Sequence, residues 1–90
     1  MTDKTLQALR AEIDQLDDEL VRLLARRFAV TREVGRLKAR AALPAVDADR
    51  EAAQQQRHRQ LAAASGLAPQ LVAAVFRLVI EEVVREHRSV

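Results

Sequence analysis

The stretch that most limits what this chain can become is its first long uninterrupted segment. Residues 4–41 contain no proline, and Pro44 closes them. Within them, Leu6, Leu9, Ile13, Leu16, Leu20, Leu23, Leu24, Phe28, Val34 and Leu37 recur at spacings of mostly three and four. That spacing lines one face of a helix. About 38 residues at ~1.5 Å each make a rod of more than ~50 Å. A compact globule of 90 residues has a radius of gyration of only ~12 Å. What remains of the chain is too short to cover such a rod. The apolar stripe therefore predicts a partner, most simply a second copy related by a two-fold axis.

Two further helices are expected, over 47–65 and 69–87. Asp47 is a good N-cap, followed by Arg50 and Glu51 on the first turn. In "SGLAP", Gly66 suits the position after a helix end and Pro69 the first turn of the next helix. The second helix is unusually polar, with Leu61 its only large apolar residue, so thin packing through alanines is expected. The third helix puts Val72, Phe76, Val79 and Val83 on one face, and His87 continues it. Strand alternation and internal repeats are missing. The fold class is all-α, with residues 1–90 read as a single domain.

Composition narrows the function. The chain has no cysteine and two histidines, which leaves little for a structural metal site. A net charge of +2 is too weak a field to mark a nucleic-acid binder. Phe28 and Phe76 are the only aromatic residues, too few for a base-stacking platform. No apolar run approaches the ~20 residues that span a bilayer. The N-terminal "MTDKTLQALRAE" lacks an apolar signal core. A cytoplasmic protein without a membrane role is expected.

The first helix carries "RLLARRFAVTREVGRLK", an apolar stripe interrupted by cations and a glycine. At ~100° per residue the stripe centres near about 200°. Arg27 falls at about 180° and Lys38 at about 200°, inside it, with Thr31 between them at about 220°. Arg26 falls at about 80°, on the polar face. The two adjacent arginines therefore have different surroundings. Buried cations need partners. Ion pairs with Asp47 or Glu51 would serve, as would snorkelling at a helix edge. A pocket for a small anion would also serve. Arg10, at about 280°, flanks the stripe and could reach a partner's pocket or lie on the surface. Mid-helix Gly35 costs about 1 kcal/mol against alanine, which close approach of another helix or a ligand would explain. His87 either faces inward or favours the negative end of its helix.

Taken together, "LRAEIDQLDDELVRLLARRFAVTREVGRLK", then P-x-x-D-x-x-RE, then "FRLVIEEVV" resemble the all-helical class of chorismate mutases. The likeness covers almost the whole chain. Each fragment is weak alone; their order and spacing are specific. The resemblance implies an intertwined homodimer of three-helix chains with two active sites, each shared between chains. It implies conversion of chorismate to prephenate, on the way to phenylalanine and tyrosine, without metal or cofactor. Some members of the family also work with a partner enzyme of the same pathway.

Carried over by position, Arg27 would grip one substrate carboxylate, and Arg10 of the other chain would grip one as well. Lys38 would bind a carboxylate and the ether oxygen of the breaking C–O bond. Asp47 and Glu51 would hold the ring hydroxyl, with Arg50 organising Asp47 and the pocket wall. Two positions depart from the pattern. Val83 stands where a small hydroxyl residue is usual and cannot hydrogen-bond a carboxylate. His87 stands where a Gln or Glu donates to the ether oxygen, and its ring nitrogen can take that role. Isochorismate–pyruvate lyase and a mutase for 4-amino-4-deoxychorismate share the scaffold and stand as rival activities. A dimeric helical module that binds RNA or protein is the non-enzymatic rival, and the inward phase of Arg27 and Lys38 counts against it.

Overall fold

The computed structural model describes residues 5–89, which are all-helical: α1 (Leu6–Arg40), α2 (Ala48–Ser65) and α3 (Pro69–Arg88). The described residues fall into two units, one up to Thr31 and one from Arg32 onward. Helix α1 contributes to both.

In the first unit the start of α1 is held by Thr5. Its hydroxyl accepts from Ala8 N–H at 3.0 Å and its carbonyl from Leu9 N–H at 3.0 Å. A threonine cap satisfies donors that the first turn leaves orphaned. No residue of 5–31 is buried in the single chain. The apolar stripe is bare there, with Leu16 61% and Leu20 57% exposed.

In the second unit two helix ends share one solution. At the end of α1, Leu43 N–H reaches Lys38 C=O at 2.8 Å and Ala42 N–H reaches Ala39 C=O at 3.3 Å. At the end of α2, Leu67 N–H reaches Ala62 C=O at 2.9 Å and Gly66 N–H reaches Ala63 C=O at 3.4 Å. Both are Schellman motifs, which require one left-handed residue. Gly66 takes it at φ 71°, and Ala42 takes it at φ 56°. The glycine is at ease there; the alanine carries the strain of a Cβ close to its carbonyl.

Helix α2 begins at the expected cap: Asp47 accepts from Arg50 N–H at 3.0 Å. Its packing is as thin as its composition suggests. Ala62, 1% exposed, is its one buried residue, and Leu61 remains exposed. His58 stacks on Phe76 of α3, with ring centroids 3.7 Å apart and planes 16° from parallel. Helix α3 starts at Pro69 and buries Val79, while Val72, Phe76, Val83 and His87 are half-buried on the same side. That face is the one its spacing marks as inward.

Candidate active site

Eight residues carry the expected site, and their surroundings differ. In the first unit, Arg10 is exposed on α1. Arg27 is half-buried, whereas its neighbour Arg26 is exposed, so helical phase separates the pair as expected. Of the eight cations on α1, only Arg27 and Lys38 are withdrawn from solvent; Arg10, Arg22, Arg26, Arg32, Arg36 and Arg40 are exposed.

The second unit holds the other six. Lys38 is half-buried, and its ammonium donates to the Ala45 carbonyl at 3.3 Å rather than pairing with Asp47 or Glu51. This ties the last turn of α1 to the segment leading into α2. Asp47 uses one carboxylate oxygen as the α2 cap, and Arg50 supplies the capped N–H while its side chain stays exposed. Glu51, one turn on, is half-buried and lines a groove of about 960 Å³ between α2 and α3. Gln55 and His58 extend that wall on α2, facing Phe76, Ile80 and Val84 of α3. Glu51, Gln55 and His58 sit three and four residues apart, which places them on one helix face.

Val83 and His87 lie outside this groove. Both are half-buried. His87 instead meets α1 at Gly35, the one buried residue of that helix. A β-carbon built on Gly35 would stand 2.6 Å from His87 Cδ2, 3.1 Å from Nε2 and 3.4 Å from Cγ. The imidazole therefore occupies the space that any other residue at position 35 would need. Close approach of another helix is the explanation that the mid-helix glycine calls for. Lys38 follows Gly35 by three residues, so the histidine seat and the lysine are neighbours on α1. One turn before Gly35, Arg32 forms a two-point ion pair with Glu86, Nε to Oε2 at 3.2 Å and Nη2 to Oε1 at 3.0 Å.

Three of these contacts have no clear signal in the sequence. The Arg32–Glu86 pair joins residues 54 apart in the chain. The His58–Phe76 stack joins a polar-looking helix to the chain's second aromatic residue. The Lys38–Ala45 bond goes to a backbone carbonyl, which any residue type supplies. A Glu, Gln and His at i, i+4 and i+7 on α2 is the one trace of the groove that the residue order carries. No helix among the described residues is long and apolar enough to cross a membrane.

Comparison with known proteins gives this geometry a context. The chorismate mutase type II family model matches residues 9–88. The T-protein of Enterobacter agglomerans is 42% identical over 77 residues, covering 86% of this chain and 21% of that protein. The T-protein of Haemophilus influenzae is 37% identical over 79 residues, covering 88% of this chain and 21% of that protein. The chain thus spans about a fifth of the length of these curated relatives. The family match runs from the first turns of α1 to the last residue of α3 and takes in all eight candidate positions, so this chain belongs to the chorismate mutase type II family.

Proposed function

We propose that this chain rearranges chorismate to prephenate, as a cytoplasmic enzyme of phenylalanine and tyrosine biosynthesis. The observation that carries the reading is the pair of withdrawn cations on α1. Arg27 and Lys38 are half-buried on a helix whose six other cations are exposed. By helical phase the two cations share one face of α1, and a guanidinium and an ammonium are the groups that grip a substrate with two carboxylates. Residues 1–90 are taken as one domain, because α1 runs unbroken past Thr31 and the family match crosses the same point.

The reaction is intramolecular. One C–O bond breaks, one C–C bond forms, and the electrons move in a ring. No nucleophile and no proton transfer are required. The protein has two tasks. It must hold the enolpyruvyl side chain folded over the ring, which is catalysis by orientation. It must also stabilise the negative charge that grows on the ether oxygen, through donors already in place. Arg27 would clamp one carboxylate with its planar fork, and Arg10 of the partner subunit would grip a carboxylate as well. Lys38 would serve a carboxylate and the ether oxygen, with His87 as the second donor to that oxygen. Asp47 and Glu51 would hold the ring hydroxyl, and Arg50 would steady Asp47 and the wall. Val83 would pack against the substrate without hydrogen-bonding it.

The reading includes a homodimer. The bare stripe of α1 supports it, since Ile13, Leu16, Leu20 and Leu23 are each more than half exposed in the single chain. An exposed apolar surface of that length marks an interaction face. A second α1 would cover it and bring Arg10 to the neighbouring site.

The test is product identification. Purified protein is incubated with chorismate and, separately, with isochorismate. Prephenate from chorismate is the expected result. Salicylate and pyruvate from isochorismate would replace the reading with the lyase. No turnover together with salt-dependent nucleic-acid binding would replace it with a binding module.

A further inference from the structure

We propose that Gly35 is a positioning residue for catalysis: it leaves open the seat in which α1 holds the imidazole of His87. The proposal rests on the mutase reading, in which His87 donates to the ether oxygen. It goes beyond that reading by naming what orients the donor. Gly35 is the one buried residue of α1, and the space beside its α-carbon is filled by the Cδ2–Nε2 edge of the ring. A methyl group there would lie 2.6 Å from Cδ2, closer than carbon atoms tolerate. The obstacle is a side chain with two rotatable bonds, not backbone. The ring therefore moves and the helices stay. The Arg32–Glu86 pair sits at the adjacent residue of α3, and rotation of the imidazole is the easy escape. Because Lys38 is one turn beyond Gly35, the seat sets His87 beside the other proposed donor to the same oxygen. A flexible Gln at position 87 could step aside from an added methyl, whereas a rigid ring cannot do so and keep its aim.

The prediction is unusual in direction. Gly35→Ala replaces a poor helix former with the best one, so the melting temperature should hold or rise. Turnover should fall all the same. The experiment compares wild type, Gly35→Ala, His87→Gln and the double variant, using kcat, KM and melting temperature. Imidazole proton–carbon spectra are recorded on the wild type and on Gly35→Ala. We expect Gly35→Ala to lower kcat by about tenfold or more with KM nearly unchanged, since the lost contact belongs to the transition state. In the His87→Gln background the same change should alter kcat by less than about threefold, as coupling between contacting residues requires. The His87 Cδ2–H resonance should shift, while that of His58, the chain's other histidine, stays in place. Equal losses in both backgrounds, or an unmoved His87 resonance, would overturn the proposal. Wild-type protein without chorismate turnover would defeat the mutase reading separately. The resonance would then still decide the packing: a shift upholds the seat, and an unmoved signal overturns it.

Discussion

Residues 5–31 bury no residue, whereas residues 32–89 bury three, although both stretches leave large apolar side chains exposed. In the first stretch a helix displays leucines and an isoleucine at core spacing, and among the described residues none of these side chains is buried. In the second, small residues do the burying: Gly35, Ala62 and Val79 are the buried positions, set among half-buried neighbours. The difference teaches that a strong apolar pattern marks where burial is needed, not where one chain provides it. The weakly patterned α2 makes its contact through alanine and a ring stack. The strongly patterned first stretch of α1 leaves its stripe exposed in the single chain.

The sharpest way to break this comparison is to charge the bare stripe. Leu16→Asp combined with Leu20→Asp should abolish the proposed dimer and turnover together, because burying each leucine is worth about 1.5–3 kcal/mol and each would be present twice at a two-fold interface. Sedimentation velocity reads the outcome, and an intact, active dimer would show that the stripe serves something else. Next in size is the contrast between adjacent arginines. Arg27→Ala should lower kcat/KM by about a hundredfold or more, while Arg26→Ala should stay within about twofold. Matching effects at both positions would remove the distinction that helical phase draws.

The two helix ends offer a smaller test within the second region. Gly66→Ala forces a β-carbon into the left-handed position and should lower stability by about 1 kcal/mol. Ala42→Gly relieves the same strain at the end of α1. Part of that gain is lost to the greater freedom of glycine in the unfolded chain, so a rise of less than about 1 kcal/mol is expected in thermal unfolding. The smallest effect belongs to Arg32→Ala. Its side chain is 55% exposed in the pair with Glu86, and such pairs contribute only about 0.2–1 kcal/mol. A larger loss would mean that the pair organises the end of α3 more strongly than its exposure implies.

Much of the helical framework was legible because its signals are local. Asp47, Gly66 and Pro69 mark caps through their own backbone and side-chain chemistry, and they stand at the observed boundaries. The first helix starts two residues later than expected, at Leu6, because the Thr5 hydroxyl supplies its cap. The end of α1 gave no glycine to read, since Ala42 adopts the left-handed turn. Periodicity also placed Arg27 and Lys38 among the withdrawn residues, and His87 on the packed face of α3. It could not say what each would touch. Lys38 had Asp47 and Glu51 as plausible partners, yet its ammonium goes to the Ala45 carbonyl. The groove beside Glu51 was likewise hidden, because it depends on how α2 and α3 lie against each other.

By itself, the order of residues determined three helices, their inward phases and a set of cations placed where core residues belong. These follow from rotation per residue and from capping, which act over a few positions. Only the tertiary structure decided that the glycine of α1 faces the histidine of α3. That contact spans 52 positions of sequence, from Gly35 to His87, and rests on a space left by a missing side chain. Empty space has no periodicity, and becomes a site only when a distant ring comes to fill it.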